Sequence, residues 1–237
     1  GGSFRHNNGT LLFASAYSQT WVRTQTIAVA LPLSLHHLSF IGGNSQASKT
    51  FEYGIMPYVL SQSAGATVSV YGDFTMRRND ADTNRTVSLN GGQIDLYGNV
   101  IAGPGASGGT TKLVIKGDGD RTYETATAGQ RNFEYNYLVR DSLLPHLRVE
   151  MSGGTFKPTA ATTNLTVRAF ELISGDFTAP PGILTSGLGE GVAAFHVRGG
   201  TFRHNNGTLR VGLDINVQWS REHTLTLGQP VTLMHLD

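Results

Sequence analysis

The sequence predicts an all-β fold, a right-handed parallel β-helix (β-solenoid) with about nine coils of ~22 residues in each 198-residue repeat. Three observations predict it. First, the decapeptide Gly199–Thr208 repeats Gly1–Thr10 with Thr201 in place of Ser3, and the match continues through Trp21/Trp219, Arg23/Arg221, Pro32/Pro230, Leu35/Leu233 and His37-Leu38/His235-Leu236, giving 17 identities in 39 positions. Second, Gly-Gly or Gly-Asp pairs recur at 1, 42, 72, 91, 108, 153, 175 and 199. If the two longest gaps each hold two turns, the pairs mark coil corners, where glycine supplies the positive φ that a tight corner requires. Third, short runs between them alternate apolar and polar residues, placing one face inward and one in water.

In chain order, these runs are Ala66–Tyr71, Val87–Asn90, Gln93–Tyr97, Lys112–Lys116, Asn164–Arg168 and Thr208–Val211. No segment sustains a 3.6-residue period over three turns, so little helix is expected. The organisation predicted is one continuous solenoid. Residues 1–198 form a complete macro-repeat, with sub-halves at about 1–107 and 108–198, and residues 199–237 open the next; the partial second copy reads as a piece of a longer protein. The halves echo one another loosely. Two stretches depart from the rhythm, Asn44–Gly65 and Thr125–Leu144, and are expected to leave the coil as lateral insertions.

Composition narrows the function classes. The 237 residues are 39% apolar, enough for a substantial core, and no apolar run has the length of a membrane span. A net charge of +1 gives no electrostatic case for nucleic acid or an anionic membrane as partner. The absence of cysteine leaves the redox compartment open. No signal peptide is visible.

The run Gly-Gly-Thr-Phe-Arg-His-Asn-Asn-Gly-Thr at 199–208, the Leu-Thr-Val and Gly-Asp-Phe-Thr blocks within Asn164–Thr178, and Leu35-His-His-Leu-Ser-Phe40 resemble the degenerate repeats of very large exported bacterial surface proteins. Filamentous-haemagglutinin-like adhesins are examples. The resemblance implies an extracellular, cell-surface stalk or adhesin whose partners are neighbouring repeats of the same chain and host, prey or matrix glycans. His37, His146 and His235 depart from the pattern, standing where such repeats usually carry Asn.

Several residue groups invite a chemical reading. Asn7-Asn8-Gly9 and Asn205-Asn206-Gly207 read as turns, because Asn tolerates the left-handed region and its amide can bond the backbone of the next coil. The three His-Leu pairs are too far apart in sequence to share a metal ion and read as corner or buried histidines. Gly117-Asp118-Gly119-Asp120 resembles a calcium loop but occurs once, as an ordinary turn would. Catalysis on a parallel β-helix needs converging carboxylates; Glu150 and Glu171 on adjacent coils are the nearest such pair. With no cysteine nucleophile, Gly-x-Ser-x-Gly elbow or phosphate loop, no catalytic residue, metal or cofactor is expected, and the chain reads as a non-enzyme. Ligand contact, if the fragment makes any, is expected from aromatic rings in the insertions, Tyr53, Tyr58, Phe133, Tyr135 and Tyr137, whose flat faces suit sugars. A polysaccharide lyase or hydrolase is the remaining alternative.

Overall fold

The computed structural model describes residues 5–14, 24–42, 54–78, 85–126, 130–131, 139–140, 142–187, 194–212 and 224–237. The described residues contain strands and no helix, in keeping with the β-branched, Gly-rich composition. In chain order the first strands are β1 (Thr10–Ala14), β2 (Gln25–Val29), β3 (Leu33–Leu35), β4 (His37–Gly42), β5 (Gly54–Gln62), β6 (Val68–Val70), β7 (Phe74–Arg78) and β8 (Arg85–Asn90). Then come β9 (Gln93–Leu96), β10 (Val100–Ala102), β11 (Lys112–Ile115), β12 (Arg121–Thr125), β13 (Gln130–Arg131), β14 (Val139–Arg140) and β15 (Leu143–Pro158). The last are β16 (Leu165–Thr178), β17 (Ile183–Ser186), β18 (Phe195–Val197), β19 (Thr201–Arg203), β20 (Thr208–Val211), β21 (Leu225–Leu227) and β22 (His235–Leu236).

Among the described residues, every strand pairing apart from the antiparallel pair β13–β14 is parallel. The pairings form three ladders. The first joins β1, β4, β7, β10, β12, the last part of β15, the last part of β16, and β19. The second joins β3, β6, β9, β11, the middle of β15, the middle of β16, β18 and β21. The third starts with β2, β5 and β8, passes through bridges at Ala106 and Ser107, and continues along the starts of β15 and β16 to β17, β20 and β22. β15 and β16 each contribute to all three ladders, so a single strand turns from one ladder to the next without a loop.

Apolar residues stack into columns because parallel register places equivalent residues above one another. On the second ladder, Leu33, Val68, Ile94, Leu113, Leu147, Phe170 and Phe195 form one column. Leu35, Val70, Leu96, Ile115, Val149, Leu172 and Val197 form the next, and every member of it is buried. Aromatic rings cluster in the core. Phe177 packs within 6.2 Å, centroid to centroid, of Tyr123, Phe156, Phe170 and Phe202. Each such ring contributes roughly 1.5–3 kcal/mol through burial, with somewhat more from ring-edge geometry. The Tyr123 hydroxyl, carried into this core, donates to the Thr178 carbonyl at 2.8 Å, and burial pushes its pKa far up.

Polar side chains stack where the second ladder turns into the first. His37 Nδ1 accepts from the Asp73 amide at 2.8 Å, Asn99 Nδ2 donates to Asp73 Oδ1 at 3.0 Å, and the Thr122 amide donates to Asn99 Oδ1 at 3.0 Å. Glycine is required at this turn further along. Gly154 and Gly200 have φ of 73° and 77°, and a Cβ on Gly154 would lie 2.5 Å from the Gly119 backbone. A Cβ on Gly200 would meet the Gly175 carbonyl.

The duplicated block is built the same way twice. Asn7 and Asn8 have φ of 46° and 57°; Asn205 and Asn206 have 49° and 58°. In each copy the second Asn donates its amide to the preceding histidine Nδ1, at 3.1 and 3.0 Å, and the Gly amide closes the turn on the histidine carbonyl. Asn205 Nδ2 also donates to the Ala179 carbonyl one step back, which is the bond expected of a corner Asn. Thr10 pairs with His37 and Leu11 with Leu38, just as Thr208 pairs with His235 and Leu209 with Leu236. Yet β1 belongs to the first ladder and β20 to the third. After 198 residues the block returns displaced by one ladder.

Two expectations are corrected. The first ladder reaches β19 from β1 in seven steps, so the anticipated nine turns of about 22 residues are too many and too short. Its steps run from 21 residues, Phe156 to Phe177, up to 36, Leu38 to Phe74. The physical reason is that each step contains three turns, and Gly-Gly pairs occur at more than one of them. Gly72 lies at the turn into the first ladder, whereas Gly91 lies between β8 and β9, at the turn from the third ladder into the second. The first insertion is also not wholly a lateral loop, since β5 occupies Gly54–Gln62 and pairs on both sides. Both insertions nevertheless fall in the same connection, from a first-ladder strand to a third-ladder strand, and they account for the two longest steps.

Phe177→Ala is expected to destabilise the chain by about 3–5 kcal/mol, measured by denaturant unfolding, because four rings lose a partner at once. Asn206→Gly is expected to be near neutral and Asn206→Ala to cost about 1 kcal/mol, since φ of 58° disfavours a Cβ without a compensating side chain.

Candidate functional site

Alternation along the second ladder sends every other side chain outward. One outward column runs through Asp95, Val114, Arg148, Glu171, His196 and Thr226; beside it runs Gln93, Lys112, His146 and Ala169. Ala169 is the short member of its column. Its register neighbour is the His146 imidazole, with Lys112 on the strand beyond, and beside its short side chain lies a cavity of about 160 Å³ bounded by Lys112, His146, Arg148, Ala169, Glu171 and His196.

The carboxylates here are already engaged. Arg148 bridges two of them, with Nε 3.0 Å from Glu150 Oε2 and Nη1 3.7 Å from Glu171 Oε2. The other Glu171 oxygen lies 3.7 Å from Arg198 Nη2 and 3.9 Å from His196 Nδ1. The pair singled out in the sequence, Glu150 and Glu171, is thus brought together, but by an arginine between them. Held that way, neither is placed as a free acid or base. On the same face Lys116 Nζ lies 3.1 Å from Asp95 Oδ2; burial works to lower its pKa, and the Asp95 partner outweighs this and raises it.

His146 has a different environment. Its Nε2 is buried without a hydrogen-bond partner, as is the Nε of Arg168. Burial lowers the imidazole pKa first, the Arg168 and Lys112 charges lower it further, and Glu171 opposes them in part. His146 is therefore neutral at pH 7. Lys112 has no ion-pair partner among the described residues. Chemically, the arrangement offers an unpaired lysine and an unsatisfied imidazole nitrogen beside a small void.

The aromatic candidates fare differently. Tyr53, Phe133, Tyr135 and Tyr137 lie outside the described residues. Tyr58 is completely buried, with its ring against Phe13 and Phe40 and its hydroxyl 3.4 Å from the Phe13 carbonyl, and burial raises its pKa. A sugar would reach Tyr58 only by opening the core. His37, His146 and His235 stand on three different ladders and do not converge, and no group of three or more metal-ligating side chains occurs among the described residues. Asp120 of the Gly-Asp-Gly-Asp turn accepts from Lys157 at 2.6 Å and from the Thr155 amide at 3.0 Å, and the lysine bond lowers its pKa. Lys112, Ala169 and His196 escaped the sequence reading. The parity of polar residues in Lys112-Leu-Val-Ile, His146-Leu-Arg-Val and Phe195-His-Val would have put them on one face, but not next to one another.

No family model matches the chain, and neither a curated protein nor a solved structure matches it.

Because the folded pKa of His146 is depressed, unfolding takes up a proton as pH falls below about 6.5, and stability present above that pH is lost. Melting temperature is expected to drop between about pH 7.5 and about pH 5, with a smaller drop in His146→Gln over the same range. Equal drops in the two proteins would remove His146 from the pH dependence.

Proposed function

We propose that this chain is a segment of a right-handed parallel β-solenoid that serves as a stiff stalk in a large exported bacterial surface protein. The role is structural and adhesive, and needs no catalytic step. The observation that carries the reading is the duplicated block, which repeats both its Asn-Asn-Gly turn and its Thr–His, Leu–Leu pairing at opposite ends of the uninterrupted parallel ladders. A unit that rebuilds its own pairing after 198 residues can be tiled, and length then scales with the number of copies. Seven steps at about 4.8 Å each span roughly 34 Å.

Leu225, Leu227, Met234 and Leu236 are exposed on β21, on β22 and just before it, and Leu12 and Leu31 are exposed near the opposite end. Open, apolar strand edges of this kind are a liability unless further strands cover them. The exported, cell-surface setting and the glycan partners in this proposal rest on the resemblance of the Gly-Gly-Thr-Phe blocks.

A chain carrying residues 1–198 twice before the closing segment is expected to lengthen by roughly 35 Å at constant cross-section when measured by small-angle scattering. Two separate beads, or a wider particle of unchanged length, would overturn the stalk reading.

A further inference from the structure

We propose that the cavity beside Lys112, His146 and Ala169 is a binding site for one small carboxylate, either a free organic acid or the acid group of a single sugar. The shape comes first. At about 160 Å³ the void is smaller than the usual range for drug-sized ligands, roughly 300–1,000 Å³, and suits a small acid. It exists because Ala169 follows Lys112 and His146 in an outward column.

The charge comes next. Lys112 is unpaired among the described residues, Arg168 stands behind the wall and acts on His146 through its charge, and of the residues that line the void His146 has its Nε2 buried without a partner. Buried polar atoms in native proteins are nearly always satisfied, so the orphaned imidazole nitrogen on the wall of the void points to a polar group that occupies it, and the neighbouring Lys112 charge selects an anionic one. Among the described residues the one carboxylate bordering the void, Glu171, is turned toward Arg148, Arg198 and His196. Glu150 is held on Arg148. What remains is a donor-rich, net-positive lining, which recognises an anion and disfavours a cation.

Binding is coupled to protonation. The groups facing His146 are Lys112 on β11, Arg148 and Glu150 on its own strand, Arg168 and Glu171 on β16, and His196 and Arg198 in and just after β18. An added anion offsets the cations among them and favours the imidazolium form, so affinity rises as pH falls through the His146 titration.

The test is NMR of protein with labelled histidine, titrated separately with acetate, D-glucuronate and D-glucose, each to about 50 mM, well above the millimolar affinity expected of so small a ligand. Acetate, glucuronate or both are expected to move the His146 imidazole resonances and raise its apparent pKa by about one unit, while glucose leaves them in place. A free acid is the source if acetate binds at least as well as glucuronate, and a sugar acid if glucuronate binds tenfold tighter. Lys112→Ala is expected to weaken binding about tenfold or more, and Ala169→Leu, which fills the void, to abolish it with unchanged circular dichroism. If Ala169→Leu fails to fold, Lys112→Ala decides. No response of His146 to either acid, an equal response to glucose, or unchanged affinity in Lys112→Ala would overturn the proposal. None of these outcomes depends on the stalk role.

Discussion

The main-chain hydrogen bonds that run from each strand to its counterpart one step along the chain are the constraint on which everything else here depends. A strand of three to six residues cannot satisfy its own N–H and C=O groups, so each borrows partners from both neighbours. Parallel register follows, and with it the stacking of like on like. Leucine, valine and isoleucine columns line the inside, and Phe170, Phe177, Phe195 and Phe202 pack ring against ring within it.

The corners show what that constraint costs. Wherever the chain turns between ladders, backbone groups lose ladder partners and must be met by side chains or by close backbone approach. His37, Asp73, Asn99 and Thr122 form one solution, a polar stack in which each side chain bonds the next rung. Gly154 and Gly200 form another, with backbones packed too closely for a Cβ. Asp176 adds a charge-based variant further along, where the Arg203 bond at 3.0 Å lowers its pKa. That contribution is present above the usual carboxylate range and is lost as pH falls through the folded value.

The outward face follows different rules, because no packing forces its columns to be uniform. Charges there could be arranged to cancel, and around Arg148 they do. Around Lys112 and His146 they do not, and a single short residue, Ala169, converts the imbalance into a void. The proposed stalk and the proposed anion site are thus products of one architecture, an inside that demands repetition and an outside that permits exceptions.

Much of this is legible in the sequence. The alternation in Gln93–Leu96, Lys112–Ile115 and Leu165–Val167 states which side chains face inward, since period two admits no other reading. The Asn-Asn-Gly turn was legible because Asn at positive φ is a local property. What the tertiary structure alone decided is where each rung lands. A glycine pair marks a turn but not which of three turns, so the step count read from glycine spacing was too high, and the return of the 198-residue block on a different ladder was invisible. The His146 cavity was invisible for the same reason. It depends on Ala169 lying one rung beyond His146, a neighbour fixed by register across a step of irregular length and not by anything nearby in sequence.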